Sequence, residues 1–329
     1  MALDPAVAAV RLAVRRYFRA DWGSTQLVAC SGGADSLALL AACVFEAHKA
    51  GCRIVGVTVD HGLQDGSAEH AAQVVAQMAE LGVDETASVR VSVDPGPAGI
   101  EAGAREARYA ALGQLAEHFD ARLVLLGHTL DDQAETVLLG LTRGSGGRSL
   151  QGMRRYFLES GGAVGFARPL LDLRRAQTEA ACRAEAIEWW DDPHNADPRF
   201  TRSRIRHTVM PTLERELGPG VAEALSRTAD QMRADMDFIE PFELEAFERA
   251  STTDGVDLGR IDDAGDAIAS RVVRRAAITA GAIPSELTRD HVQALLRLLG
   301  TTDKVVQLPG HVTAYAEGET LRFRRTSTG

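Results

Sequence analysis

The chain has 329 residues, 45% of them hydrophobic and 25% charged, with a formal net charge of −10. Such a composition suits a folded globular protein with room for about two domains. It excludes a collagen, a wholly disordered chain and a disulfide scaffold. Asp4-Pro5 opens a helix, Asp as N-cap and Pro at the first helical position, with Val7, Val10, Val14 and Phe18 at helical spacing. Residues 26–30 predict a short buried strand, followed by a tight glycine loop, Ser31-Gly32-Gly33-Ala34-Asp35-Ser36. The alanine-rich stretch 37–50 predicts a helix, 53–60 a second strand, 67–81 a helix, and the alternating 86–93 a third strand. After the Asp94-Pro-Gly-Pro97 break come a helix over 101–119, a fourth strand over 122–127 and a helix over 131–142.

This alternation predicts an α/β fold, a parallel sheet with helices on both faces, over residues 1–210. Residues 211–329 read as a smaller, mostly helical domain. A helical stretch over 208–239 is broken by Gly-Pro-Gly at 218–220, and short strand-like pieces lie at 304–308 and 320–323. In parallel sheets ligands bind at the carboxyl ends of the strands. The unusual polar residues fall at three such ends: 31–36, Asp60-His61, and His128 to Asp132.

The net charge alone argues against a nucleic-acid partner, but the basic residues cluster. Lys49 and Lys304 are the only lysines. Arg143, Arg148, Arg154 and Arg155 form one run without acids, and Arg199, Arg202, Arg204 and Arg206 form another. Guanidinium groups bind phosphate bidentately, so a polyanion fits such runs on an acidic protein. The acid gathers from Asp230 to Asp266. It is expected to face solvent or a second copy of the chain, which makes a homodimer the assembly to test.

The glycine loop sits between a strand and a helix. Glycines let the backbone approach a phosphate, and the helix N-terminus receives the negative charge. Asp131 and Glu135, four apart, share a helix face with Asp132 beside them. Such carboxylates suit Mg²⁺ or an ammonium group. There is no Gly-Lys dipeptide for a Walker A loop, no G-x-S-x-G elbow and no H-E-x-x-H.

Ser31 to Ser36 resembles the S-G-G-x-D-S signature of the PP-loop ATP pyrophosphatases, which have the adenine nucleotide alpha hydrolase-like fold. The stretch from Gly127-His-Thr-Leu-Asp131-Asp132-Gln to Thr136 resembles the G-H-x-x-D-D-Q-x-E-T pattern of their tRNA-modifying branch. Within that branch, Val59-Asp60-His61-Gly-Leu63, Ala104-Arg105-x-x-Arg108-Tyr109, Arg168-Pro-Leu-Leu171 and the run from Asp192-Pro to Arg206 are similar to the tRNA(Ile)-lysidine synthases. Gln64 and Ser203 depart from that pattern, which has Arg and Asn there.

The resemblance implies a cytoplasmic ligase that adenylates the wobble cytidine of a tRNA(Ile) with a CAU anticodon. Free L-lysine then displaces AMP. It implies ATP held by Ser31, Gly32, Gly33, Ala34, Asp35, Ser36, Asp60, His61 and Gly127, with Asp35 and Asp132 as Mg²⁺ ligand candidates. It also implies catalytic roles for Asp35, Asp131, Asp132, His128 and Arg108. Lysine would sit at Asp131 and Glu135, and substrate phosphates at Arg105, Arg108, Arg143, Arg202, Arg204 and Arg206. Arg271, Arg274 and Arg275 would reach the tRNA body. A 2-thiocytidine-type enzyme and a non-catalytic nucleotide-binding module are the alternatives. The first calls for paired cysteines, and Cys30, Cys43, Cys52 and Cys182 read as small core residues instead. Nothing at the amino terminus reads as a signal peptide and no run reaches the ~18 apolar residues of a membrane span, so no membrane contact is expected.

Overall fold

A computed structural model of the chain describes residues 3–18, 22–60, 62, 66–92, 100–143, 146–158, 163–191, 197–299, 301 and 304–326. The chain divides into two compact units, residues 1–139 with 152–227, and residues 140–151 with 228–329. The first unit begins with α1 (Pro5–Arg15), where the Asp4 carboxylate accepts from the Ala6 amide at 2.8 Å as the sequence pattern implies. There follow β1 (Thr25–Ala29), α2 (Ala34–Ala50), β2 (Arg53–Asp60), α3 (Ser67–Glu80), β3 (Glu85–Arg90), α4 (Ile100–His118), β4 (Leu123–Leu126) and α5 (Leu130–Arg143). A short helix of the second unit, α6 (Gly147–Leu150), precedes two three-residue strands of the first, β5 (Tyr156–Leu158) and β6 (Gly165–Ala167). Helix α7 (Arg175–Ala184) and α8 (Thr201–Arg204) come next; a π-helical turn (Ile205–Val209) joins α8 to α9 (Met210–Leu217).

The sheet order is β3-β2-β1-β4-β6-β5. All pairs are parallel except β5 with β6. The four strands expected from the sequence are present: β2 has the expected bounds, β1 is shifted by one residue, β3 begins one residue early and ends three early, and β4 is one residue shorter at each end; the β5–β6 hairpin was not foreseen. Strand β4 is buried along its whole length, and four of the five β1 residues are buried, so both need apolar cover on each face. One face packs Leu37, Leu40, Cys43, Leu123 and Cys182 with α1, α2 and α7. The other packs Leu27, Val55, Leu112 and Phe166 with α4. Cys30, Cys43 and Cys182 are buried free thiols, in keeping with a packing role.

Strand β1 pairs with β2 on one side and β4 on the other, so the direction of winding reverses between β1 and β4. The carboxyl ends of those two strands therefore border the crevice where such sheets bind ligands.

The second unit carries most of α10 (Val221–Ala250), then β7 (Ser251–Thr252), β8 (Gly255–Asp257), a 3-10 helix (Leu258–Ala264), α11 (Gly265–Thr279), α12 (Arg289–Leu296), β9 (Val305–Leu308), β10 (Val312–Glu317) and β11 (Thr320–Arg325). Its strands form an antiparallel sheet, β7-β8-β11-β10-β9, packed with the helices around Val272, Val273, Leu295, Val312 and Leu321. The expected strand-like pieces are β9 and β11. They are joined into a five-stranded sheet that a mostly helical reading understated. The Gly218–Gly220 break separates α9 from α10 as expected, and α10 runs past Pro241 to Ala250.

The acidic stretch expected to face solvent is not uniformly exposed. Glu243 is 2% exposed and takes Arg148, Arg275 and, at 3.9 Å, Arg271. A lone buried carboxylate is costly, and the arginines of its own unit satisfy it.

Candidate active site

The glycine loop leaves β1 and turns into α2. Gly32 has φ +81°, and a Cβ there would lie 2.7 Å from Val74 Cγ2, so both the backbone and the space demand glycine. Inside the loop the Ser36 hydroxyl donates to Gly33 O at 2.9 Å and accepts from the Ser31 amide at 3.1 Å. The loop is braced from outside by two contacts. His70 Nε2 lies 3.1 Å from Ser31 O, and the Trp190 amide donates to Gly32 O at 3.0 Å, with the two rings 3.9 Å apart. Gly127 ends β4 so close to α2 that a Cβ would sit 3.0 Å from Ser36 N and Asp35 O. A side chain at that position would press on the first turn of α2.

The loop borders a cavity of about 600 Å³. Ser31, Gly33, Ala34, Asp35 and Ser36 line it from one side, and Gly127, His128 and Asp132 from another. Arg105, Arg108, Arg202 and Arg206 complete the expected residues that the fold brings there. Gly32 gives its carbonyl to Trp190 and does not line the cavity. Asp60, Asp131 and Glu135 do not line the cavity; Asp60 ends β2, its carboxylate taken by the Gly62 amide at 2.8 Å and by Arg90 at 3.0 Å. Arg204 points its guanidinium to the carbonyls of Pro198 and Arg199 and to Thr201. His61 and the Arg143 side chain lie outside the described residues, as do Gln64 and residues 192–196.

Asp131 and Asp132 enter in the first turn of α5, where the helix dipole favours acids. Asp132 accepts from the Thr129 amide at 2.8 Å and its hydroxyl at 3.0 Å, from Arg175 Nη2 at 2.8 Å and from Arg206 at 3.0 Å. Burial opposes its charge, yet Arg175, Arg202 and the Thr129 amide hold the carboxyl below the usual carboxylate range. Asp35 accepts from Arg175 Nε at 3.1 Å and from the Thr178 hydroxyl. Burial pushes its carboxyl up to about 6; Arg175 works against that rise and Asp132 adds to it. Glu135 is 1% exposed, with Arg206 Nε at 2.7 Å and Arg202 Nε at 2.9 Å. Asp131 accepts from the Arg175 amide at 2.7 Å and faces Arg174 at 3.3 Å.

The chain thus supplies its own cations to an acidic wall. Arg202 and Arg206, expected at substrate phosphates, rest on Glu135 and Asp132. Arg175 spans Asp35 and Asp132. Those two carboxylates converge on one cation position. No group of three or more His, Cys, Asp or Glu that could hold a metal is found among the described residues. A pair of carboxylates fits Mg²⁺, which takes one or two of them and completes its shell with water and phosphate oxygens.

Sequence reasoning did not assign roles to Arg175, Thr178, His70 or Trp190. It noted Arg168 only as part of a matching pattern. Arg168 is 2% exposed and donates from Nε to His128 Nδ1 at 3.2 Å. His128 is held well below its usual range by burial and then by the Arg168 charge.

Residues 10–213 match the family model described as the PP-loop domain. A tRNA(Ile)-lysidine synthase of Streptomyces coelicolor is 44% identical, the alignment covering 99% of this chain and all of the relative. One of Thermobifida fusca is 49% identical over 90% of each. Among solved structures, the U34-tRNA thiolase NcsA from Methanococcus maripaludis is 16% identical, with a TM-score of 0.56 over 69% of this chain and 78% of that one; it shares the fold. With a PP-loop domain over well over half its length and relatives of this identity along nearly all of it, the chain belongs to the tRNA(Ile)-lysidine synthase family.

Proposed function

We propose that the chain joins free L-lysine to C2 of the wobble cytidine in a tRNA(Ile) with a CAU anticodon, using ATP and releasing AMP and pyrophosphate. The observation that carries this reading is the cavity at the winding switch point, where the glycine loop, Asp35, Asp132 and Arg105, Arg108, Arg175, Arg202 and Arg206 face one another. In the first half-reaction cytosine O2 attacks the α-phosphorus of ATP, and pyrophosphate leaves. The amides of Ser31 to Ser36 and the start of α2 receive the departing phosphates. Asp35 and Asp132 would hold Mg²⁺, which neutralises phosphate charge when bound. Arg175, Arg202 and Arg206 are placed to exchange their carboxylate partners for phosphate oxygens, and Arg105 and Arg108 to meet the nucleotide from α4.

In the second half-reaction the ε-amine of lysine attacks C2 and AMP leaves with O2. The amine must shed a proton to attack, and a carboxylate anchors the ammonium and accepts that proton. Asp131 suits this role better than Glu135, because its side chain is 22% exposed against 2% and pairs with one arginine rather than three. An anticodon loop is single-stranded, so the cytosine enters without unpairing a duplex. In the second unit a cavity of about 770 Å³ is lined by Arg148, Arg271, Arg274 and Arg289 against Asp266. That surplus of positive charge suits phosphates of the tRNA body, with binding that weakens as salt rises.

The test is incorporation of labelled lysine into a CAU tRNA(Ile) transcript with ATP and Mg²⁺, beside an Asp35→Ala control. Transfer that vanishes in the control is the expected result. AMP release without lysine transfer would return the chain to the thiocytidine type, and no AMP release would leave only nucleotide binding.

A further inference from the structure

We propose that Arg168, braced by Tyr109, is a positioning residue that holds His128 as the neutral ring protonated on Nε2, so that His128 serves the site as a hydrogen-bond donor and never as its base. The inference rests on the adenylation reading above and deepens it. Arg168 is the first residue after β6, and its amide donates to Arg155 O at 2.8 Å, which fixes the backbone. Every nitrogen of its guanidinium is engaged. Nε meets His128 Nδ1, Nη1 meets Arg154 O, and Nη2 meets the Tyr109 hydroxyl at 2.9 Å. The guanidinium carbon lies 4.6 Å from the Phe157 ring centroid, and the Tyr109 ring is walled by Phe157 and Phe166.

A guanidinium has donors and no acceptor, and it stays charged in proteins. The nitrogen facing it must therefore offer a lone pair. That nitrogen is Nδ1, so the proton of the neutral ring sits on Nε2, on the ring edge away from Arg168. A protonated ring would set N–H against N–H. The charges acting on His128 agree: Arg168, Arg108 and Arg202 on three different elements, against Asp132. Burial opposes the imidazolium as well. His128 lines the same cavity as Asp35 and Arg202. A neutral N–H there stabilises negative charge growing on a phosphoryl oxygen without surrendering a proton, a use of histidine with precedent in enzyme sites. The same ring cannot accept the proton of the lysine ammonium through Nε2, which leaves that task to a carboxylate.

The test is a multiple-bond ¹⁵N–¹H correlation spectrum of the full chain with ¹⁵N-labelled histidine near neutral pH, His128 being assigned by its loss in His128→Gln. The expected ring has an unprotonated Nδ1 and a protonated Nε2. A proton on Nδ1, or on both nitrogens, would overturn the proposal without any variant having to fold. Arg168→Met should lose the fixed tautomer. Tyr109→Phe, which removes one brace, should broaden it while leaving the fold intact. AMP formation in His128→Gln should fall about 10²-fold in kcat, the range for losing one such donor, with KM for ATP near the parent value. An unchanged kcat would overturn the donor role. The expected ring spectrum in a chain that makes AMP but transfers no lysine would uphold this assignment and sink the ligase reading.

Discussion

Both units bury carboxylates among arginines, but they strike opposite balances. In the first, Asp35 and Asp132 at the cavity wall and Glu135 behind it share Arg175, Arg202 and Arg206. In the second, Glu243 alone takes Arg148, Arg271 and Arg275, while Arg274 caps the carbonyls of Leu287 and Pro284. Equal numbers of opposite charges make a wall whose partners exchange, so either a cation or a phosphate finds a complement there. One acid under several arginines makes a rigid anchor with positive charge left over for an anion. The same residue types serve turnover in one place and holding in the other.

Four substitutions sharpen this contrast. The largest effect is expected at Asp132, which belongs to the exchangeable wall. Asp132→Asn should lower AMP formation by about 10²–10³-fold, as for loss of a preorganised charge at the reacting phosphate, measured by AMP release at saturating ATP. An effect under tenfold would remove Asp132 from the machinery. Next is Glu243, the anchor. Glu243→Gln leaves its arginines uncompensated and should cost about 3–5 kcal/mol in denaturant unfolding of the second unit. A cost below about 1 kcal/mol would show that solvent, not Glu243, screens those arginines.

A third effect concerns pH, and the two wall aspartates oppose each other. The Asp35 carboxyl is raised from 3.8 to about 6 in the fold, so its contribution to stability is full below about pH 4 and is lost as pH rises through 6. The Asp132 carboxyl is lowered, so its contribution is present above about pH 4 and is lost as pH falls. Asp35→Asn should therefore gain stability relative to the parent between pH 4 and 6, on the order of 3 kcal/mol at the upper end. A pH-independent difference would contradict the assignment. The smallest effect is expected at Arg204, whose guanidinium meets no carboxylate among the described residues. Arg204→Ala should change stability by at most about 0.5 kcal/mol and reduce the salt slope of tRNA binding by about one. A large loss of AMP formation instead would place it at the cavity.

The loop, the strand ends and the α5 carboxylates were legible because their signals are local. Glycine and serine between an apolar strand and an apolar helix leave little room for another arrangement, and Asp131, Asp132 and Glu135 lie within a turn and a half of helix. The counter-charges were not legible. Arg202 and Arg206 read as free phosphate ligands, since nothing nearby in the sequence shows that Glu135 takes both. Arg175 stands in no motif, and nothing near it in the sequence shows that it spans Asp35 and Asp132. Strands β5 and β6 are three residues each, too short for periodicity to register. Strand β10 buries two small or short side chains, Ala314 and Thr313, beside Val312, and alanine carries no strand signal.

The bond from Arg175 to Asp35 spans 140 residues, and that from Thr178 to Asp35 spans 143. During synthesis the glycine loop therefore leaves the ribosome long before its partners. Sheet strands β1 to β4 can pair, but the carboxylates at the future site then face water with no arginine to meet them. The wall closes only after α7, α8 and Arg206 have emerged, so a chain truncated before residue 175 would possess the nucleotide loop and lack the charges that balance it. The site is among the last parts of its unit to form, as expected for contacts of such long sequence separation.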